Sequence, residues 1–305
     1  MTYNGGARQH RPATDAGPCH SDRPLLMPDL KQDLRHVSLL CVETRYPALA
    51  RYAIERCLAA AEFKECILLS PTRFDLPPHI EQVQIAPITS VAAYSDFMLR
   101  ELGRHFSGSH VLVIQWDSFI LRGDLWQAAF LDYDYIGAPW PHRPPALAVG
   151  NGGFSLRSRR LVDALQQIKL GVTHPEDHVI CDLHRSELEG VHGIRYAPAA
   201  LAAAFAYETG PRSGPVFGFH GFFNFHLALD DAQLEHYIGL CDNRTLASEE
   251  ARRLVRSLYH AGRYRLARLI LRRRLHGGPA QRADAAWLLL RSYWHGLTRA
   301  RRLAV

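Results

Sequence analysis

The first half of the chain alternates short apolar runs with amphipathic stretches. Residues 111–114 form a continuous, mostly β-branched apolar run, which is typical of a strand buried on both faces of a parallel sheet. Similar runs predict strands at residues 37–44, 65–70 and 83–88, with helices over residues 47–61 and 94–105. Strands and helices that alternate at this spacing predict a right-handed βαβ series and a Rossmann-like α/β fold.

A carboxylate follows the strand predicted at residues 111–114. Asp117 lies where ligands bind in open α/β sheets, beyond the carboxyl ends of the strands. There it can hold Mg²⁺ or Mn²⁺ against a diphosphate, because both cations prefer oxygen ligands; alternatively, it only caps the turn into Ser118. The chain has no glycine-rich phosphate loop of the dinucleotide-binding or P-loop type, which argues against those two enzyme classes.

Glycines are concentrated in residues 150–157, which read GNGGFSLR. Gly150, Gly152 and Gly153 permit a close backbone approach, which suits a loop laid against a sugar or phosphate. Asn151-Gly152 is also a strong turn dipeptide, so a tight hairpin turn is a second interpretation. The two interpretations are compatible, and we expect a turn that also contacts ligand.

An acidic pair follows at Glu176-Asp177. Thr173, three residues before Glu176, completes the pattern of a capping box, which gives Glu176 a structural role at the start of a helix. Asp177 has no such role. The helix dipole stabilises its ionised form, and an ionised aspartate beside an acceptor hydroxyl can act as a general base. A solvated aspartate in a first helical turn is the alternative.

Histidines provide two candidate metal sites. His174, His178 and Cys181 have the spacing of three zinc ligands on one helix face, although no fourth ligand is nearby. His220 lies among aromatic residues and glycines in residues 215–224. A neutral imidazole can bind a metal, and aromatic rings can orient a sugar. A histidine that only fills the core is the alternative.

The composition is that of a soluble globular protein, with 47% hydrophobic and 22% charged residues in a chain of 305. No apolar run reaches the ~20 residues needed to cross a bilayer, and the first 22 residues lack the apolar core of a signal peptide. A cytoplasmic protein is therefore expected. Six cysteines without C-x-x-C spacing predict reduced, mostly buried thiols.

The net charge of +6 is unevenly distributed. Residues 251–305 contain fourteen arginines and one acid, a local charge of +13, so residues 1–250 carry −7. Neither a zinc-finger nor an RNA-recognition signature occurs, and nucleic acid is not an expected partner. We expect the arginine-rich face of the tail to be solvated, with peripheral contact to an acidic inner membrane as the alternative.

The tail pattern predicts helices over residues 247–260, 264–275 and 283–293. These helices resemble a tetratricopeptide-like helix pair, which needs a neighbour to bury its core, so we expect it to pack on the α/β part or on a partner. The predicted organisation is therefore a disordered arm over residues 1–31, an α/β domain over residues 32–245 and an arginine-rich helical tail over residues 246–305.

Five motifs occur in an order that one family shares. They are QWDS at residues 115–118, DYIGAPW at 134–140, GNGGFSLR at 150–157, EDH at 176–178 and FGFHG at 217–221. With these motifs the chain resembles, over residues 37–224, the nucleotide-sugar-dependent glycosyltransferases of the GT-A fold. It is most similar to the bacterial family called domain of unknown function 5672.

The resemblance implies a GT-A-like, mainly parallel mixed sheet flanked by helices. It implies transfer of a sugar from a nucleotide-sugar donor to a hydroxyl of a glycan or lipid-linked acceptor, in the biosynthesis of a bacterial surface polysaccharide. Asp117 matches the second acid of the D-x-D motif that binds the cation, but Gln115 replaces the first. His220 matches the late histidine that completes the metal site, so Asp117 and His220 are expected to hold Mn²⁺ or Mg²⁺.

The resemblance also assigns roles to residues. Asp177, in the pair with Glu176, matches the aspartate that deprotonates the acceptor, which implies single displacement with inversion. The donor-site residues are Thr44, Arg45, Tyr46, Gln115, Trp116, Asp117 and Ser118. The acceptor and sugar loop comprises Trp140, Asn151, Gly152, Gly153, Phe154 and Ser155.

Two other functional classes remain open. The missing first acid at Gln115 is compatible with a non-catalytic nucleotide- or carbohydrate-binding module. The arginine-rich tail is compatible with an interaction protein.

Overall fold

A six-stranded mixed sheet forms the centre of the structure, a computed structural model that describes residues 31–212 and 214–303. The strands of the chain are β1 (Gln32–Val42), β2 (Ala61–Ser70), β3 (Glu81–Gln84), β4 (His110–Ile114), β5 (Ser118–Ile120), β6 (Tyr135–Gly137), β7 (Phe154–Ser158), β8 (Ala206–Tyr207) and β9 (Gly218–His220). The central order is β3-β2-β1-β4-β7-β6, and a smaller sheet has the order β5-β9-β8. Strands β1 to β4 pair in parallel, whereas β7 is antiparallel to both of its neighbours.

Helices cover the central sheet and form the C-terminal part of the chain. They are α1 (Pro47–Ala60), α2 (Val91–Arg100), α3 (Arg159–Leu165), α4 (Glu176–His178), α5 (Arg185–Gly190), α6 (Ala199–Phe205), α7 (Phe225–Ala228), α8 (Asp231–Leu240), α9 (Asn243–Ala247), α10 (Glu249–His260), α11 (Tyr264–Arg274) and α12 (Pro279–Leu303). The predicted fold class is confirmed: a mixed, mainly parallel sheet flanked by helices, followed by a helical C-terminal region.

The apolar run at residues 111–114 is strand β4, buried on both faces as predicted. Successive side chains of a strand point to opposite faces, so Leu112 and Ile114 lie in the main core with α1, while Val111 and Val113 lie in a second core with Met98 of α2. All four residues of the run are fully buried. The run therefore joins the two hydrophobic layers of the domain.

The observed element bounds differ from the predicted ones for local reasons. The third strand is short, Glu81–Gln84, and ends before Pro87, which has no N–H to donate to a sheet. The helix predicted from residue 94 begins at Val91 because the Ser90 hydroxyl accepts a hydrogen bond from the backbone N–H of Ala93. Its last predicted turn, Leu102–His105, is a separate 3₁₀ helix.

The segment predicted as a ligand loop at residues 150–157 is only partly a loop. From Phe154 onward it is strand β7, inserted between β4 and β6 and buried along its whole length. Phe154 and Ser155 are therefore core residues and not open ligand contacts, because the antiparallel pairing places them inside the sheet. No tight hairpin occurs at Asn151-Gly152, since the paired strands β6 and β7 are separated by residues 138–153.

The three predicted tail helices are present as α10, α11 and α12, and they pack on the rest of the described chain as expected. Helix α10 lies on the turn Phe222–Asn224, where the Arg253 guanidinium stands 3.4 Å from the centre of the Phe223 ring. Arg263 donates to the carbonyl oxygen of His226 at 3.0 Å. Part of the arginine-rich face is thus internal and partnered, while other arginines, such as Arg256, are exposed as predicted.

Two composition-based predictions can be compared with the described residues. Cys41, Cys57, Cys66, Cys181 and Cys241 are free and buried, as predicted. Burial raises the pKa of the Cys57 and Cys66 thiols to about 12. No helix among the described residues is long and apolar enough to span a membrane. The predicted disordered arm falls almost entirely outside the described residues, and the domain boundary at residue 245 stays a prediction.

Arg274 allows a test of how helix α11 is held against the junction of α9 and α10. Its side chain is buried and donates to the carbonyl oxygens of Leu246 at 2.8 Å and Ser248 at 2.7 Å. Arg274→Leu is expected to lower the free energy of unfolding by about 2–3 kcal/mol, because two carbonyl groups lose a charged donor. Urea denaturation of the purified protein measures the change. Arg282→Leu, which removes an exposed arginine, serves as the control. Equal effects of both variants would show that the hydrogen bonds of Arg274 do not stabilise the fold.

Candidate functional site

A cavity of about 260 Å³ lies at the carboxyl ends of β1 and β4. Its wall is formed by the loop after β1, by residues preceding and beginning α2, and by the residues that follow β4: Val42, Glu43, Thr44, Arg45, Tyr46, Ile88, Thr89, Ser90, Val91, Tyr94, Gln115 and Trp116. Five of the seven predicted donor-site residues therefore line one cavity. The exceptions are Asp117 and Ser118, which lie beneath it in the turn.

The loop after β1 is shaped by Glu43, which the sequence reasoning did not single out. Its Oε1 accepts hydrogen bonds from the backbone N–H groups of Arg45 at 2.6 Å and Tyr46 at 2.9 Å. Burial raises the pKa of Glu43, while these backbone donors oppose the shift. The carboxyl group thus replaces water as the hydrogen-bond partner of the loop, and it fixes the backbone of Arg45 and Tyr46.

Aromatic rings form one side of the cavity. Trp116 lies between Tyr46 and Phe222, with ring centroids 5.5 and 5.6 Å apart, and the Tyr237 hydroxyl donates to its carbonyl oxygen at 2.9 Å. The Arg45 guanidinium stands 5.3 Å from the Tyr46 ring centre. Aromatic rings next to a guanidinium group can bind a nucleotide, because the base stacks on a ring and the guanidinium binds a phosphate.

Ser118 has a structural position. It is fully buried, and its hydroxyl donates to the carbonyl oxygen of Gly153 at 2.7 Å while it accepts from the backbone N–H of Gln115 at 2.9 Å. It therefore joins the turn after β4 to the glycine loop, residues 150–153, and does not contact the cavity.

His220 lies between two carboxylates at the inner end of the site. Its Nε2 is 3.5 Å from Asp117 Oδ1 and 3.2 Å from Gln115 Oε1, and its Nδ1 is 3.1 Å from Glu208 Oε1. Burial by itself would lower the pKa of His220, but the charges of Asp117 and Glu208 raise it well above its ordinary value. Glu208 was not predicted, because nothing in the local sequence around residue 208 indicates contact with a histidine twelve positions later.

Gln115 connects the cavity to His220. Its amide nitrogen donates to the Tyr94 hydroxyl at 3.1 Å, while its amide oxygen faces His220. Because Gln115 also lines the cavity, the aromatic side and the histidine belong to one continuous polar site.

The glycine loop fits tightly against three of the predicted site residues. A Cβ atom would collide with the Trp140 ring at Gly150, with the Glu176 carboxylate at Gly152 and with the His220 imidazole at Gly153. Asn151, with φ of 61°, takes the left-handed conformation that the turn requires. The glycines therefore make room for protein side chains, and the loop brings Trp140, Glu176 and His220 to one place.

Asp177 reaches the same loop. Its Oδ2 accepts from the backbone N–H of Gly152 at 3.3 Å, and its Oδ1 accepts from the N–H of His178 at 2.8 Å. Asp177 is only half-buried. The structure thus brings together Asp177, the glycine loop, His220 and Asp117, which are widely separated in the sequence.

The capping box predicted for Thr173 and Glu176 is wrong. The helix starts after Pro175 without a side-chain cap, and Glu176 points inward to Arg157 of β7, 3.2 Å away. Arg157 is fully buried; it also donates to the Gly152 carbonyl oxygen at 3.3 Å and to the Ser155 hydroxyl at 3.0 Å. A buried guanidinium needs a carboxylate partner more than a helix end needs a cap, since the helix end can be solvated.

The zinc interpretation of residues 174–181 is also wrong. His174 contacts the Ser95 hydroxyl at 2.8 Å, His178 is 3.1 Å from Asp182, and Cys181 is buried. The described residues contain no group of three or more histidine, cysteine, aspartate or glutamate side chains that could hold a metal.

Asp117, Gln115 and His220 nevertheless offer a set of donor atoms to a divalent cation. Asp117 Oδ1 is buried and has no hydrogen bond among the described residues. Two ligands that each lie ~2.1 Å from one cation are ~3–3.5 Å apart, which matches the distances of 3.5 and 3.2 Å from His220 Nε2 to the two oxygens. The residues therefore fit a cation whose remaining positions are filled by oxygens of a ligand.

The buried pair of Arg157 and Glu176 predicts a large effect on stability. Glu176→Leu should lower the free energy of unfolding by about 3–5 kcal/mol, because it leaves the Arg157 charge buried without a partner. The double variant Arg157→Met/Glu176→Leu should recover much of that loss, since it removes both charges. Chemical denaturation of the three proteins tests this; a double variant less stable than the single one would contradict it.

Comparisons with known proteins bear on the central region. No curated protein matches the chain. Among solved structures, the galactosyltransferase LgtC in complex with donor and acceptor sugar analogs is 13% identical with a TM-score of 0.37, over 60% of this chain and 86% of that one. An active-site mutant of LgtC is 13% identical with a TM-score of 0.40, over 67% and 94%. The mannosyltransferase PcManGT from Pyrobaculum calidifontis, in complex with GDP-Man and Mn²⁺, is 14% identical with a TM-score of 0.36, over 90% and 84%.

With TM-scores below 0.5, these likenesses do not establish an activity. Residues 78–220 match the family model described as protein of unknown function (DUF5672). The match contains four of the five sequence motifs entirely and the fifth up to His220. The resemblance to this family that was inferred from the motifs is thus confirmed for residues 78–220.

Proposed function

We propose that this protein is a glycosyltransferase that moves a sugar from a nucleotide-sugar donor to a hydroxyl of a glycan or lipid-linked acceptor. One observation supports it above all: Gln115 lines the aromatic cavity and also faces His220, while the glycine loop links His220 to Asp177. The proposed places for a nucleotide and for its phosphates thus adjoin a carboxylate that has no cationic partner among the described residues. These are the parts that sugar transfer from a nucleotide donor requires.

The donor nucleotide would occupy the cavity beside β1 and β4. Its base and ribose would lie against Tyr46 and Trp116, whose rings form the apolar side. The Arg45 guanidinium and the backbone of Thr44 stand at the same wall and would bind ribose or phosphate oxygens. Residues 1–250 have a net negative charge, so the affinity for a dianionic donor would depend on local cations.

The diphosphate would lie near Asp117 and His220. A bound Mn²⁺ or Mg²⁺, held by Asp117, His220 and the Gln115 amide oxygen, would stabilise the negative charge that develops on the leaving diphosphate. Glu208, in contact with His220 Nδ1, would orient the ring so that Nε2 faces the phosphates.

Asp177 would act as the general base. Its two oxygens accept hydrogen bonds only from backbone N–H groups among the described residues, so no charged partner competes for the carboxylate. It would take the proton from the acceptor hydroxyl as that oxygen bonds to the anomeric carbon and the bond from this carbon to the diphosphate oxygen breaks. A single displacement of this kind inverts the anomeric centre.

The second candidate is a non-catalytic nucleotide- or carbohydrate-binding module. It is favoured by one observation, the amide of Gln115 where the first acid of a D-x-D motif would stand. The transferase and a nucleotide-binding module both require nucleotide binding, a carbohydrate-binding module does not, and only the transferase requires Asp177.

Nucleotide binding is the first prediction. Nucleoside diphosphates, tested one by one with Mn²⁺, should raise the free energy of unfolding of the protein and therefore its melting temperature. The expected increase is about 2.7 kcal/mol at a ligand concentration 100 times Kd. Asp117→Ala should abolish the Mn²⁺-dependent part, and Trp116→Ala should weaken binding with or without the metal. Differential scanning fluorimetry measures both effects.

Asp124→Ala is the matched control for nucleotide binding, because Asp124 is an exposed carboxylate that pairs with Arg122 on the surface. It should respond to nucleotides as the unaltered protein does. A folded protein that no nucleoside diphosphate stabilises would refute the donor site and, with it, both the transferase and the nucleotide-binding module.

Loss of the base is the second prediction. Asp177→Asn should reduce kcat by a factor on the order of 10²–10⁴, because proton transfer loses its acceptor, and nucleotide binding should be unchanged. Donor consumption in the presence of a screened acceptor measures kcat. Asp182→Asn is the control, since Asp182 lies on the same segment but is engaged by Arg143 at 2.5 Å. Normal turnover of Asp177→Asn would show that another group accepts the proton.

A further inference from the structure

A second cavity, of about 600 Å³, lies in the arginine-rich tail, outside the family match and away from the residues of the proposed transfer site. It is lined by residues from α10, the start of α11 and α12: Arg252, Arg256, Tyr259, His260, Tyr264, Trp287, Leu288 and Arg291. A volume of this size suits a small ligand of one to three rings. The wall contains three arginines, a histidine and three aromatic side chains but no acid.

The wall of this tail cavity is held in place by contacts between the helices. The Tyr259 hydroxyl donates to the carbonyl oxygen of Leu288, and the rings of Tyr259 and Tyr264 meet edge to face at 5.8 Å. Arg252 binds both carboxylate oxygens of Asp284 at 2.9 Å each. Asp284 is thus engaged by a wall residue, and the rings of Tyr259 and Tyr264 are held in place.

One arginine of the tail cavity has no ion-pair partner among the described residues. Arg256 is exposed and makes no hydrogen bond or ion pair among the described residues. The Arg291 guanidinium stands 5.3 Å from the Trp287 ring centre, so charge and aromatic surface adjoin on α12. Guanidinium groups bind phosphate and carboxylate through paired hydrogen bonds.

We propose that the tail cavity is a binding site for an anionic saccharide, a sugar that carries a phosphate or a carboxylate. The anionic group would be bound by Arg256, and the sugar ring would lie on Trp287, since aromatic side chains offer an apolar face to the C–H groups of a sugar. This site is independent of the proposed transfer of sugars at β4, and it would exist in a protein without transferase activity.

A membrane surface is the competing occupant. Leu290 and Tyr293 of α12 are exposed, at 74% and 49%, and an amphipathic helix with arginines can lie on acidic lipid. The concave cavity between three helices fits a single small ligand better than a lipid surface. A lipid surface would contact the outer face of α12 but not the side of the cavity that Tyr259 and Tyr264 form.

The experiment measures binding of defined probes to the full chain. Saturation-transfer NMR and calorimetric titration would use glucose 6-phosphate, glucuronic acid, glucose and inorganic phosphate, with vesicles of phosphatidylglycerol as a separate arm. We expect glucose 6-phosphate and glucuronic acid to bind, with ring protons receiving saturation, and glucose to bind at least tenfold more weakly. Arg256→Gln and Trp287→Ala should each weaken binding about tenfold, which corresponds to ~1.4 kcal/mol.

Arg282→Gln is the matched control, because it removes one exposed positive charge from the tail, on the helix that carries Trp287 but outside the cavity. It should leave the affinities unchanged. The proposal is overturned if neither anionic sugar binds, if inorganic phosphate binds as tightly as glucose 6-phosphate, if Arg256→Gln and Arg282→Gln weaken binding equally, or if only the vesicles bind. Nucleotide binding at the β4 site is measured separately, so failure at either site does not decide the other.

Discussion

The candidate site depends on one fully buried charge, the Arg157 guanidinium of β7. Taking such a group out of water is costly unless its hydrogen bonds are replaced, and here the replacements come from three different parts of the chain. Glu176 supplies the opposite charge from α4, Gly152 supplies a carbonyl oxygen from the glycine loop, and Ser155 supplies a hydroxyl from β7 itself. The need to satisfy Arg157 therefore brings the loop and α4 together. Asp177, next to Glu176, reaches the N–H of Gly152 as a result.

The presence of Gln115 in place of an acid has a physical explanation in this site. An ionised carboxylate only accepts hydrogen bonds, whereas an amide donates with its nitrogen and accepts with its oxygen. Gln115 uses both, because it donates to Tyr94 and faces His220 with its oxygen. It also avoids a third carboxylate around His220, which already has Asp117 and Glu208 beside it. The departure from the D-x-D pattern thus fits the polar chain that joins Tyr94 to Glu208.

Much of the fold could be predicted from sequence because its signals are local. The apolar run of β4 and the first two amphipathic tail helices are visible in short windows, and they appear within a few residues of their predicted bounds. The third tail helix, α12, extends ten residues beyond its predicted end. Strand β7 was partly missed because its glycine-rich start resembles a loop and its burial depends on pairing with β4 and β6. No local pattern reports such pairing.

The candidate site was predictable to the extent that its residues follow strand ends. Thr44, Arg45, Tyr46, Gln115 and Trp116 meet at one cavity because parallel strands end at one edge of the sheet. Arg157 and Glu208 were missed as functional neighbours because their partners are distant in the sequence or in another element. The capping box at Glu176 failed for the same reason, since a long-range charge partner outweighed a local motif.

The glycine loop has a consequence for how such a protein can change over time. Each of its three glycines packs against a different side chain of the site. A methyl group added at any one of them would therefore displace a different side chain. Under the proposed function, variation in the choice of nucleotide or sugar would be confined to the cavity wall, where side chains face open space. New specificities would arise around a loop that itself has almost no freedom to vary.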